Sequence, residues 1–127
     1  MANLALDTPA ALVDLERMRR NIARMQQHMN GLGVAFRPHV KTSKSIQVVR
    51  EQMDAGAHGI TVSTLKEADE FFKAGISDIL YAVGMVAARL PHALALRRQG
   101  CDLKLLTDSA QGATAIGEFG KANGEMF

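Results

Sequence analysis

Three stretches of this chain repeat one design: "DAGAHGITV" (Asp54–Val62), "KAGISDILY" (Lys73–Tyr81) and "RQGCDLKLL" (Arg98–Leu106). Each closes a helix-period segment on a glycine and enters a short apolar run about three residues later. With Val34–Phe36 ahead of them, the runs Gly59–Val62, Asp78–Val83 and Leu103–Leu106 predict four strands whose starts lie about 19 to 25 residues apart. Runs this short and this apolar suit strands buried on both faces. Right-handed β-α-β crossovers between them give a parallel sheet. No proline-rich or serine-rich linker interrupts the pattern, so residues 1–127 read as part of one domain.

The intervening segments carry helix signals. Leu15, Met18, Ile22, Met25 and Met29 recur at three- and four-residue steps and predict an apolar stripe facing the core, with Asp14 as N-cap and Asn30-Gly31 as the stop. Ile46, Val49 and Met53 share the face of a second helix that ends at Gly56. Thr64 and Glu67 have capping-box spacing at the head of a third, which is expected to turn Leu65, Ala68 and Phe72 inward and to stop at Gly75. A fourth runs from about Pro91 to Gln99 and a last one from about Ser109 toward Gly124, with Ala113, Ile116 and Gly120 on one side.

Parallel β-α repeats end as an open doubly wound sheet or as a closed (β/α)8 barrel. No glycine-rich phosphate-binding turn follows any run, and four evenly repeated short units favour the TIM-type barrel, of which they are about half. The chain stops at the apolar pair Met126-Phe127 without a terminating signal, which predicts the N-terminal part of a longer protein.

Charge and cysteine usage narrow the function. A net charge of +2 falls short of the clustered excess of a nucleic-acid binder. Cys101 is the single cysteine, so no internal disulfide forms and a reduced cytoplasmic setting fits. The opening "MANLALDTPA" has no basic region leading into an apolar stretch, so it is not a signal peptide, and no apolar run reaches membrane-spanning length.

In either architecture function gathers at the C-terminal ends of the strands. "FRPHVKTSKS" (Phe36–Ser45) leaves the first strand there, with Arg37, His39 and Lys44 within four positions of Lys41. Positive neighbours and partial burial push a lysine amine toward its free-base form, which condenses with aldehydes. The competing reading is a solvated, inert loop.

The ordered set Thr8-Pro9-Ala10-Ala11-Leu12-Val13-Asp14-Leu15, Asn21-Ile22-Ala23-Arg24-Met25, Arg37-Pro38-His39-Val40-Lys41-Thr42-Ser43-Lys44, Gly59–Thr64, Glu67-Ala68 and Asp78–Ala82 resembles the D-threonine aldolase / D-serine dehydratase family. These are fold-type III enzymes of pyridoxal 5'-phosphate (PLP), related to the alanine racemase N-terminal domain. The resemblance runs from Thr8 to about Ala115. It implies that Lys41 holds PLP as a Schiff base and is the catalytic lysine, that His39 and Thr42 shape the cofactor's surroundings, and that the substrate is a D-amino acid or 3-hydroxy amino acid. It implies aldol cleavage, elimination or racemisation by the full-length protein and a homodimer, while the modest charge and the lack of a membrane-length apolar run predict no nucleic-acid or membrane partner. A divalent metal would be held by a C-terminal domain that this sequence lacks, so no metal ligand is assigned. The family's usual PHxKTHK has Ser43 at its second histidine, which leaves the lysine in place. Two alternatives share the resemblance: a non-catalytic PLP-binding protein of PLP homeostasis, and an inactive fragment of the enzyme.

The remaining candidates read as structural. His28 and His58 fall at helix ends, and His92 adds polarity at a helix start. Cys101 lies in the turn before the fourth strand, opposite the expected site. Arg17, Arg20 and Arg24 form a solvated helix face. Tyr81, if its pleat is favourable, shares the face of Lys41. Thr107, Asp108 and Ser109 are turn residues, with Asp108 or Ser109 capping the last helix.

Overall fold

The computed structural model describes residues 6–127; the first half of the "MANLALDTPA" opening, residues 1–5, lies outside them. Its order is α1 (Leu15–Gly31), α2 (Ile46–Asp54), β1 (Ile60–Val62), α3 (Leu65–Lys73), β2 (Asp78–Gly84), α4 (Leu90–Arg98, entered through a 3-10 turn at Ala87–Arg89), β3 (Asp102–Leu106) and α5 (Ala110–Asn123). The strands form one parallel sheet in the order β1-β2-β3, as the β-α repeat predicts.

The helix caps follow the sequence. Asp14 accepts from the Arg17 N–H at 2.9 Å and Ser109 from the Gly112 N–H at 3.0 Å. Thr64 and Glu67 close a full capping box. Gly56, Gly75 and Gly100, the glycines of the three repeated joints, all have positive φ, where a Cβ would be strained. Pro91 sits in the first turn of α4, where its missing N–H costs no helical bond.

The core lies between the sheet and its helices. Ile60, Ile79 and Leu103 are fully buried and stand beside one another in register. They pack with Val62, Leu65, Ala68, Phe71, Leu90, Ala93 and Leu96. Each large side chain so buried contributes about 2 kcal/mol.

Three expectations need correction. The first strand does not form at Val34–Phe36, where Val34 is exposed. The pairing comes later, as an isolated parallel bridge between His39 and Thr61: the Thr61 N–H donates to Pro38 O at 2.9 Å and the Val40 N–H to Thr61 O at 3.0 Å. Toward Phe36 the pairing continues only as the His58 N–H donating to Phe36 O at 2.8 Å, because the reciprocal donor would come from residue 38, a proline, which has none. The second correction concerns α3, whose fully buried aromatic is Phe71, with Phe72 only partly buried against the core.

The third concerns the α1 stripe, which is not core. Leu15 and Met25 are exposed, Met18, Ile22 and Met29 are half-buried, and the buried residue of this helix is Gln26. Helix α1 lies outside the sheet layer and meets α2 through polar contacts. Arg19 forks onto Glu51 at 2.6–3.1 Å, and Gln26 lies against Gly56.

Candidate functional site

Side chains alternate between the two faces of each strand. The helices cover the face of Ile60, Ile79 and Leu103. On the opposite face, register aligns His39, Thr61, Leu80 and Lys104 across the sheet. One layer toward the strand starts lies Asp78, beside Asp102. This open face is the side that a closed barrel turns to its interior.

The cations of the Phe36–Ser45 stretch separate between the ends of the sheet. Arg37 points to the strand starts and forks onto Asp78, with Nε–Oδ1 and Nη2–Oδ2 both at 2.8 Å. Lys104 adds a bond to the same carboxylate at 3.0 Å and another to Asp102 at 2.7 Å. The Arg37 hydrogen bond, followed by Lys104, holds the Asp78 carboxyl below its usual range against the opposing effect of burial. A Cβ at residue 59 would fall 2.5 Å from Asp78 O and 2.6 Å from its Cγ, so glycine is needed there to admit Asp78.

At the C-terminal end, Lys44 Nζ lies 3.2 Å from Glu67 Oε1. Arg37 and Lys44 are therefore both neutralised by carboxylates. Lys41, between them in sequence, makes no ion pair among the described residues. It stands exposed on a turn of Lys41, Thr42 and Ser43, which the Lys44 N–H closes by donating to Val40 O at 3.0 Å. The expected partial burial of Lys41 is not met, because among the described residues nothing packs over the open face of the sheet at this end.

His39 adjoins this turn. Its Nδ1 accepts from the Lys41 N–H at 3.4 Å, and its Nε2 is 3.3 Å from Ser63 Oγ. With Nδ1 as acceptor, the neutral ring carries its proton on Nε2 and donates it to Ser63. Burial, then the Lys41 ammonium, push the His39 imidazole below its ordinary pKa, with a smaller opposing pull from Glu67. The structure thus brings Lys41, Thr42 and His39 to one strand end, with Ser63 and Glu67 beside them. An amine with no carboxylate partner, next to a neutral imidazole, is chemically suited to hold a carbonyl cofactor.

Ser63 and Glu67 were missed as site residues. Glu67 was legible only as a helix cap, and nothing local marks Ser63 as the partner of a histidine 24 positions away.

The other candidates separate from the site. Tyr81 is fully buried on the helix side with Ile79, so its pleat is the unfavourable one; its hydroxyl accepts from Arg89 Nη1 at 2.7 Å. Cys101 is buried, and desolvation pushes its thiol up to about 11. His92 bonds Asp69 at 2.8 Å on the surface. His28 and His58 are exposed, as are Arg17, Arg20 and Arg24. Thr107 and Asp108 lie in the turn after β3, where Ser109 is the cap of α5. Among the described residues no three His, Cys, Asp or Glu side chains gather as a metal site, and no helix is long and apolar enough to cross a membrane.

Comparison with known proteins finds relatives along nearly the whole of this chain. The chain is 65% identical over 124 residues to D-threo-3-hydroxyaspartate dehydratase of Delftia sp. (strain HT23), covering 98% of this chain and 33% of that protein. The solved structure of that dehydratase superposes with a TM-score of 0.94 over 97% of this chain and 32% of its own. D-serine dehydratase of Dictyostelium discoideum is 31% identical, over 96% of this chain and 32% of its own length. The solved D-threonine aldolase of Filomicrobium marinum is 27% identical, with a TM-score of 0.85 over 95% of this chain and 33% of that one. The chain therefore spans about a third of the length of the curated relatives it matches. The model of the alanine racemase N-terminal domain matches residues 13–125, and this chain belongs to that family.

Proposed function

We propose that these residues are the N-terminal part of a PLP-dependent lyase acting on a D-amino acid or 3-hydroxy amino acid, with Lys41 as the amine joined to the cofactor. The observation that carries the reading is the isolation of Lys41: of the three lysines and arginines between Phe36 and Ser45, it alone has no carboxylate partner among the described residues, and it stands at the C-terminal strand end. One-third coverage of the relatives supports a longer protein. The 65% relative's name, a dehydratase of a 3-hydroxy amino acid, favours elimination of water over aldol cleavage or racemisation.

PLP, when bound, supplies an electron sink for negative charge at the substrate's α-carbon. The chain's own residues supply the amine and its surroundings. Lys41 Nζ, when not joined to the cofactor, is the base available to take the proton from that α-carbon. His39, kept neutral, adds no second positive charge beside the amine and ties the Lys41 backbone to Ser63. Thr42, next to Lys41 on the turn, flanks the cofactor.

Borohydride treatment of the PLP-loaded full-length protein, followed by peptide mapping, tests the assignment. The expected result is a stable pyridoxyl label on Lys41. Label confined to Lys44 would sink it, and label on Lys41 without turnover of any D-amino acid would identify a PLP carrier instead.

A further inference from the structure

Glu67 uses its two carboxylate oxygens for different purposes. Oε2 accepts from the Ser63 N–H at 2.8 Å and the Thr64 N–H at 3.3 Å, which completes the cap of α3. Oε1 is left for Lys44 Nζ at 3.2 Å. The Glu67 side chain is 10% exposed. Burial alone would raise its carboxyl, but Ser63, Lys44 and Thr64 together hold it below the usual range, so it stays ionised.

Lys44 has φ +45, an unfavourable left-handed conformation for a residue with a side chain. It also closes the turn that presents Lys41, through its N–H to Val40 O. Both feet of that three-residue arch are thereby held: at Val40 by the bond to Thr61 O, and at Lys44 by Glu67. Two lysines three positions apart could each reach an aldehyde at this strand end. One is engaged by a carboxylate and the other is not. To condense with a carbonyl carbon, an amine tied to a carboxylate must first leave that partner, whereas an amine without one need not.

We infer that Glu67 is a positioning residue that directs the cofactor to Lys41, by engaging the Lys44 amine and fixing the arch between Val40 and Lys44. This rests on the reading of Lys41 as the cofactor lysine. A residue that only capped α3 would change stability without changing which lysine reacts.

The test is the same borohydride mapping on the full-length protein loaded with PLP, in wild type and three variants. Glu67→Gln keeps a carbonyl oxygen for the cap and turns an uncharged amide toward Lys44. The Lys44-to-Lys41 label ratio is expected to rise about fivefold, the range of an ion pair with one exposed partner. Lys44→Arg keeps the pair but cannot condense with an aldehyde, so label stays on Lys41 at wild-type yield. Lys44→Met removes the pair from its exposed side, leaves the α3 cap intact, and lowers the Lys41 yield by a factor of about two to five. Wild-type ratio in Glu67→Gln together with wild-type yield in Lys44→Met overturns this inference and leaves the Lys41 reading standing. A wild-type protein unlabelled at Lys41 overturns both.

Discussion

The two ends of the sheet receive charge from the same ten-residue stretch and use it in opposite ways. At the strand starts, Arg37, Asp78, Lys104 and Asp102 bond one another at 2.7–3.0 Å, and Gly59 gives up its side chain to make room. At the strand ends, Lys44 is paired, but Lys41 is left alone beside a histidine whose charge is suppressed. One end uses its charges to tie Arg37 to β2 and β2 to β3; the other leaves an amine without a carboxylate partner among the described residues. Bonding satisfied at one end and withheld at the other is the pattern expected of a stable floor beneath a reactive mouth.

That contrast can be broken from either side. The largest stability loss should come from Asp78→Asn, which leaves Arg37 and Lys104 without their shared carboxylate. It should cost about 2 to 3 kcal/mol, read by urea unfolding of the full-length protein, with the Lys41 label unchanged. Acid sharpens the same point. Because the folded Asp78 carboxyl lies below its ordinary value, its stabilisation is complete above about pH 4 and is lost as pH falls through the lowered folded value. The Asn variant should lose that part of the acid dependence.

Lys41→Met should do the reverse. It abolishes the pyridoxyl label yet shifts stability by less than about 0.5 kcal/mol, because the side chain is exposed and unpaired. A loss as large as that of Asp78→Asn would make Lys41 a structural residue. The smallest effect concerns His39. Its folded pKa is lowered, so the neutral ring's contribution is fully present above the ordinary value near 6.5 and falls away as pH drops from there through the folded value. An NMR titration of the ring should show a midpoint below 6.5; a midpoint above it would mean that Glu67 outweighs burial and Lys41.

Much of this was legible in the chain. The glycine joints gave three strands to within two residues, because a helix stop and an apolar run are local signals. Asp14, Thr64 with Glu67, and Ser109 were readable as caps because a cap bonds within three residues. The first strand was misplaced because apolar content pointed to Val34–Phe36. The pairing depended on which residues could meet Thr61 and on Pro38 having no N–H. The α1 stripe misled because helical periodicity marks an apolar face without saying what covers it.

The site divides in the same way. Lys41, Thr42 and His39 stood out as a short motif after a strand. Which cations would be neutralised did not, because Arg37 meets Asp78 across 41 positions and Lys44 meets Glu67 across another turn of the chain. Sequence by itself determined the parallel β-α order and put a lysine at the mouth, since both follow from local patterns of polarity and turn chemistry. Only the tertiary structure decided that, among the described residues, Arg37 and Lys44 are paired and this lysine is not. Ion pairs depend on distances of a few ångströms, and those are set by how strands register rather than by where residues fall along the chain.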